Sequence, residues 1–119
     1  DMGVLTVSAE ESLKPEVGLH RRWTLHGVSH HLGLDVHDCA QARKDQYLDA
    51  PLREGMVLTV EPGLYIQPDD ELFAPEYRGI GIRIEDDVVV TADGCRNISE
   101  NIPRHPDEIE KWMKSVLGR

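Results

Sequence analysis

The chain has 119 residues, which is enough for one domain or part of one. Its 22 aspartates and glutamates outnumber its 13 lysines and arginines, and the formal charge of −9 argues against a nonspecific nucleic-acid binder and against binding to an anionic membrane surface. No apolar run approaches the ~20 residues that a membrane-spanning helix needs.

Cys39 and Cys95 are the two cysteines of the chain, too few for a disulfide scaffold. They favour a reducing, cytoplasmic setting. Neither has a CxxC partner, so we interpret both as structural residues. Only six residues are aromatic, which predicts an aliphatic core.

The first predicted element is a short helix. Ser8 and Glu11 have the spacing of a capping box, in which each side chain binds the other residue's backbone N–H. Pro15 limits the helix to a few residues. From His20 to Asp38 the chain is rich in His and Gly without a clear period, and five of the six histidines lie there.

Strands are predicted in the middle of the chain. Residues 56–61 form a β-branched run that ends at a Pro-Gly pair, and residues 64–66 continue as a second short strand. Residues 67–78 contain three consecutive acidic residues and two prolines, which predicts an exposed loop.

A strictly alternating segment at residues 80–85 predicts a half-buried strand with its isoleucines inward. Asp86 and Asp87 are typical of a turn, and residues 88–91 are again β-branched. The pattern therefore predicts a hairpin between 80–85 and 88–91.

The last element is the clearest helix. Pro106 suits its first position, and Gly118 suits its C-terminal cap. An apolar face recurs at helical spacing, which predicts that the helix packs against another part of the protein. This face is formed by Ile109, Trp112, Met113 and Val116.

Two strand faces carry polar residues that invite a chemical interpretation. Gly81, Arg83 and Glu85 share one face, and a strand glycine often marks the close approach of another group. Thr59 and Glu61 share a face of the preceding strand. The alternatives are an exposed surface pair on the first strand and an ordinary strand end on the second.

The His-rich window allows two readings. His26 and His30, four residues apart, could bind zinc from a helix, but Gly27 and Ser29 weaken a helix there. Alternatively, a single histidine binds a metal ion together with carboxylates that are distant in the sequence. Manganese and iron(II) are harder ions, and this ligand set suits them better than a set of thiolates would.

Three segments in order carry a resemblance: HGVSHHLGLDVHD (26–38), LREGMVLTVEPGLYI (52–66) and RGIGIRIEDD (78–87). Together they resemble the C-terminal part of the Xaa-Pro aminopeptidases (aminopeptidase P), which are pita-bread metallopeptidases like prolidase. The resemblance implies an α+β pita-bread fold with an antiparallel sheet and a C-terminal helix. It also implies that residues 1–119 are the C-terminal part of a catalytic domain whose upstream half lies outside this sequence.

The family binds two divalent ions, usually manganese, through two Asp, one His and two Glu. The resemblance implies that His30, Glu61 and Glu85 are the His and Glu ligands, and that both Asp ligands lie outside this chain. Cobalt, iron(II) and zinc are the alternative ions. Arg83 and Thr59 are expected to orient the ligands.

The activity implied is hydrolysis of the bond between an N-terminal residue and a following proline, with a peptide whose second residue is proline as substrate. His37 is expected to stabilise the tetrahedral intermediate, His26 to line the proline side, and Glu61 to transfer the proton. His31 is expected to be non-catalytic. Prolidase, which cleaves dipeptides, and a non-catalytic pita-bread interaction module remain alternatives, and a homo-oligomer is expected.

Overall fold

The computed structural model describes residues 4–39 and 41–118. They form two α-helices and five strands in the order α1 (Ala9–Ser12), β1 (Val57–Val60), β2 (Gly63–Tyr65), β3 (Gly81–Arg83), β4 (Asp86–Thr91), β5 (Gly94–Asn97) and α2 (Pro106–Leu117). Short 3-10 helices cover Leu19–Arg22, Lys44–Gln46 and Pro75–Tyr77. No helix in this described part of the chain has the length and apolar character to cross a bilayer.

The chain divides into two compact units. One comprises the residues up to Val28 together with Glu61–Arg83, and the other comprises Ser29–Val60 together with the residues from Ile84 onward.

In the first unit, β2 and β3 form an antiparallel pair in which Gly63 lies opposite Arg83. The buried hydrophobic cluster consists of Trp23, Ile66 and Phe73. The Trp23 and Phe73 rings meet edge to face with centroids 5.5 Å apart, a favoured aromatic geometry. The expectation of an aliphatic core is therefore wrong for this unit, because two of its few aromatic residues are placed at its centre.

The α1 helix begins as the sequence predicts. The Ser8 Oγ accepts the Glu11 backbone N–H at 3.1 Å, so one half of the capping box is confirmed. The Glu11 carboxylate pairs with Lys14 Nζ at 2.5 Å.

The predicted exposed loop at residues 67–78 is wrong in its centre. Asp70 and Phe73 are buried. The Asp70 carboxylate accepts from Trp23 Nε1 at 2.6 Å and from Arg22 Nε at 3.0 Å. An acidic run indicates polarity, but it does not reveal a partner 47 residues away that can satisfy one buried carboxylate.

In the second unit, β1, β4 and β5 form a three-stranded antiparallel sheet in the order β1-β4-β5. The predicted hairpin between 80–85 and 88–91 is wrong, because β3 pairs with β2 while β4 pairs with β1 and β5. Asp86 and Asp87 are not a turn but the first residues of β4, opposite Val60 and Thr59. The β4–β5 connection is the tight turn preceding Gly94, which pairs with Thr91.

The alternating isoleucines are exposed, contrary to the half-buried strand that was predicted. Ile80, Ile82 and Ile84 retain 41%, 57% and 47% of their accessible surface, and the strand itself is only three residues long. Alternation reveals which side chains share a face, but it does not reveal what covers that face.

The helix α2 is confirmed, with Pro106 in its first turn and Gly118 as its cap. Its expected packing is not seen, because Trp112, Met113 and Val116 are exposed by 54%, 48% and 66%. Cys39 and Cys95 are both free and exposed, so neither contributes to a buried core.

Candidate metal centre

Glu61 is a buried carboxylate placed directly after β1. Its backbone N–H donates to the Val28 carbonyl at 2.8 Å, and the residue retains 5% of its accessible surface. Its Oε2 lies 3.5 Å from Arg83 Nη1 and 3.9 Å from His26 Nδ1. Burial of a carboxylate is costly without such polar partners. Arg83 is therefore a partner of one expected ligand, and its role in orienting the ligands stays a prediction.

His30 is fixed to β1 through Thr59. The Thr59 N–H donates to the His30 carbonyl at 2.9 Å, and the His30 N–H donates to Thr59 Oγ1 at 3.0 Å. Thr59 is fully buried. Thr59 thus holds the His30 backbone with two hydrogen bonds, and its expected role in orienting the ligands stays a prediction.

The tautomer of His30 follows from its neighbour. Its Nδ1 lies 2.9 Å from the His31 carbonyl oxygen. A carbonyl oxygen only accepts, so Nδ1 donates to it, and Nε2 is the ring nitrogen that can serve as a ligand atom. Metal-binding histidines commonly donate their other ring N–H to such a carbonyl.

The β1–β4 register locates Glu61 and Glu85 in the sequence beside two paired strand ends. Val60, the last residue of β1, lies opposite Asp86, the first residue of β4. Glu61 directly follows Val60 in the chain, and Glu85 directly precedes Asp86.

The outcome is a three-ligand cluster of His30, Glu61 and Glu85. Each offers one ligand atom, and these atoms all lie within 4.8 Å of one another. Glu61 is buried, His30 is half-buried and Glu85 is exposed. One imidazole nitrogen with two carboxylate oxygens is a donor set that fits a divalent first-row ion.

His37 stands beside this cluster. Its ring centroid lies 4.4 Å from that of His30, with the two ring planes at 83°. The His37 side chain is exposed, so it is accessible to a molecule in solution. The sequence proposal that His37 contacts substrate is compatible with this position.

His26 is not on a helix with His30, because residues 26–30 have no helical structure. This excludes the zinc-helix reading of the pair. Its Nδ1 donates to the Gly27 carbonyl at 2.6 Å, and its Nε2 is hydrogen-bonded to the Tyr65 hydroxyl at 2.7 Å. His26 is thereby held beside Glu61.

Tyr65 is a residue that the sequence analysis treated only as part of a strand. A Cβ on Gly63 would meet the Tyr65 ring at 2.7 Å and His26 Nε2 at 2.9 Å, and a Cβ on Gly81 would meet the ring at 3.0 Å. The expectation that Gly81 marks a close approach is confirmed, and the approaching group is Tyr65. The two strand glycines were the signal that could have identified it.

The His31 ring packs against Tyr47. His31 forms an isolated bridge with Leu58, its N–H donates to the Tyr47 hydroxyl at 3.2 Å, and the two rings are 5.0 Å apart. This packing gives His31 a structural explanation that requires no catalytic role.

Comparison with known proteins gives consistent results. The sequence profile of metallopeptidase family M24 matches residues 2–92. The chain is 63% identical over 103 residues to Xaa-Pro aminopeptidase 1 of Streptomyces coelicolor, covering 87% of this chain and 21% of that protein. It therefore spans about a fifth of the length of this relative.

Solved structures show the same likeness. Aminopeptidase P from E. coli with the inhibitor Pro-Leu superposes with a TM-score of 0.80 at 45% identity, covering 99% of this chain and 26% of that one. Zinc-substituted E. coli aminopeptidase P in complex with product matches with a TM-score of 0.80 at 47% identity, covering 99% and 25%. With 45–47% of the aligned residues identical, the chain resembles these proteins in sequence as well as in fold.

Proposed function

From the premise that the chain belongs to metallopeptidase family M24 and has the pita-bread fold of aminopeptidase P, we propose that it is the C-terminal part of an Xaa-Pro aminopeptidase catalytic domain. The whole enzyme hydrolyses the peptide bond between an N-terminal residue and a following proline. The observation that carries the proposal is the three-ligand cluster, whose donor atoms lie within 4.8 Å of one another.

The proposed cofactor is a pair of divalent ions. His30, Glu61 and Glu85 would hold them, with two further aspartates from outside this chain. Manganese is the proposed ion because carboxylate oxygens outnumber nitrogen in the donor set and thiolates are lacking from it. When bound, such ions lower the pKa of water and polarise a carbonyl.

The chain's own residues supply the remaining steps. Glu61 takes the proton from the attacking water and delivers it to the departing proline nitrogen. His37 donates a hydrogen bond to the carbonyl oxygen as negative charge develops there. His26, oriented by the Tyr65 hydroxyl, lines the side of the site that receives proline.

The setting of the enzyme is also part of the proposal. Two free cysteines suit a reducing compartment, and we place the enzyme in the cytoplasm as a homo-oligomer. The acidic character of the chain, −9 overall, attracts the ammonium terminus of a peptide.

The test is a substrate panel with the full-length protein. The metal is removed by chelation, and manganese, cobalt, zinc or iron(II) is then added back singly. We expect cleavage of an Xaa-Pro-Yaa tripeptide, no cleavage of the matched Xaa-Ala-Yaa tripeptide, and the highest rate with manganese. Cleavage restricted to the Xaa-Pro dipeptide would identify a prolidase, and no cleavage with any ion would favour a non-catalytic module.

A further inference from the structure

The segment that carries His37 is tied at both of its ends. The Leu32 N–H donates to the Val57 carbonyl of β1 at 3.0 Å, and the Asp38 N–H donates to the His31 carbonyl at 3.1 Å. The loop of residues 32–38 therefore leaves β1 and returns to the residue next to His30. Its conformation determines where His37 stands.

Inside this loop, the Asp38 carboxylate occupies the place where a side chain at position 33 would be. A Cβ built on Gly33 collides with that carboxylate, approaching Asp38 Cγ at 2.7 Å and Asp38 Cβ at 3.2 Å. Gly33 is not among the positive-φ residues. A left-handed backbone is therefore not the reason for glycine here, and the constraint is one of space.

The same carboxylate has a polar partner within the loop. Its Oδ1 accepts the Asp35 N–H at 3.5 Å. If a methyl group at position 33 pushed the carboxylate away, this hydrogen bond would be lost. Asp38 and Gly33 are thus packed as a pair inside the loop, and Asp38 is half-buried.

His37 depends on this arrangement because its own side chain is exposed. Its ring lies against His30, with 4.4 Å between centroids, and the residue that follows it is Asp38. We propose that Asp38, seated against Gly33, is a positioning residue that holds His37 at the reacting carbonyl. This inference rests on the proposed function, which gives His37 its role as hydrogen-bond donor.

The experiment uses the full-length, metal-loaded enzyme and three variants: Gly33→Ala, Asp38→Ala and the double variant. Gly33→Ala and Asp38→Ala are each expected to lower kcat by ~10–100-fold, the cost of misplacing a catalytic group by about 1 Å. KM and metal content stay at the parent values, because His37 acts in the transition state and holds no metal. The double variant is expected to be no slower than Asp38→Ala alone, since the added methyl then has room.

Matched controls separate positioning from general disturbance of the loop. Leu34 lies in the same loop and is fully exposed, so Leu34→Ala is expected to leave kcat unchanged. Asp38→Asn keeps the shape and one acceptor oxygen and is expected to restore most of the activity that Asp38→Ala loses. In a His37→Ala background, Gly33→Ala is expected to add no further loss.

The inference is overturned if Gly33→Ala has no effect, or if it costs the same factor in the Asp38→Ala and His37→Ala backgrounds. A Gly33→Ala protein that does not fold and is not restored by Asp38→Ala overturns it equally. A parent enzyme inactive on every Xaa-Pro peptide would instead contradict the proposed function, so the two failures are distinguishable.

Discussion

At the scale of single residues, Glu85 and His37 are expected to fail in different ways when they are removed. Glu85 contributes a donor atom to the cluster within 4.8 Å of the other two. His37 lies against the His30 ring and is accessible. One is therefore part of the proposed ion site, and the other is a group that a substrate would meet.

In the full-length protein, Glu85→Ala is expected to abolish both activity and the loading of two ions. His37→Ala is expected to lower turnover by ~100–1,000-fold, the usual cost of losing an oxyanion donor, while the metal content stays unchanged. Elemental analysis beside the tripeptide assay measures both quantities. Equal loss of metal in the two variants would contradict the role proposed for His37.

Asp70 is the most strongly perturbed carboxyl group of the described chain. Hydrogen bonds from Arg22, which has the larger effect, and from Trp23 lower the pKa of Asp70 from its ordinary value of 3.8 to about 2. A carboxyl whose pKa is lower in the folded state stabilises folding above its unfolded pKa, and this stabilisation is lost as the pH falls through the folded pKa. The relevant window is therefore about pH 4 down to about pH 2.

Asp70→Asn is expected to lower the free energy of unfolding at pH 7 and to remove this group's pH dependence between pH 4 and 2. The difference between parent and variant should therefore shrink on acidification. Denaturant unfolding at a series of pH values measures it. Asp69→Asn removes the same charge at an adjacent exposed position and is the control. If both variants changed the free energy of unfolding equally at every pH, the buried contacts of Asp70 would not be the cause.

At the scale of elements, the start of β4 is fixed by a polar cluster. The Ser99 Oγ donates to Asp86 Oδ1 at 2.7 Å and accepts the Asp87 N–H at 3.0 Å. The Arg104 guanidinium also binds the Asp86 carboxylate. The hydrogen bond from Ser99 has the largest effect on the pKa of Asp86 and lowers it, and the hydrogen bond from Arg104 lowers it further. This cluster anchors the strand directly after Glu85.

Arg104→Ala is expected to cost ~1–2 kcal/mol of stability, because a half-buried carboxylate loses a charged donor. Amide hydrogen exchange should accelerate at Asp87 and Ile98, whose N–H groups bind Ser99 and the Asp87 carbonyl. Arg96→Ala in β5, at an exposed position, is expected to change stability by less than ~0.5 kcal/mol. Unchanged exchange in the Arg104 variant would show that β4 does not need this anchor.

Local signals in the sequence predicted local structure well. The Ser8 cap, the β1 run and α2 depend on residues within a few positions of one another, and all three are found. The strand β3 was located but given the wrong partner. Antiparallel pairing joins residues far apart in the chain, and a Val-rich segment after two aspartates is equally compatible with a hairpin and with a separate sheet.

The candidate site was predicted through resemblance rather than from period or spacing. His30, Glu61 and Glu85 were named from three sequence blocks, and the structure gives them a common location. Tyr65 was missed because a tyrosine in a strand is ordinary, and its place over two glycines depends on the β2–β3 register. The Gly33–Asp38 contact was missed for the same reason, since steric exclusion is a property of the folded loop.

At the scale of the whole molecule, many large hydrophobic side chains are exposed to solvent. In the described part of the chain, the buried hydrophobic residues are Trp23, Ile66 and Phe73. The isoleucines of residues 80–84 are exposed, and so are Trp112, Met113 and Val116 of α2. Large exposed apolar patches favour association. The charge of −9 opposes it only in part, because repulsion is screened beyond ~8 Å at physiological salt.

A polypeptide of these 119 residues alone is therefore expected to self-associate, to bind manganese weakly, and to show no activity on an Xaa-Pro tripeptide. The cluster supplies three donors, and the proposed site for two ions needs two more carboxylates. Light scattering, a manganese titration and the peptide assay measure the three properties. Trp112→Ser with Val116→Ser should lower the average mass, whereas Lys111→Ser on the polar side of α2 should not. A monomer that cleaves the tripeptide efficiently would show that other carboxylates of these residues complete the site.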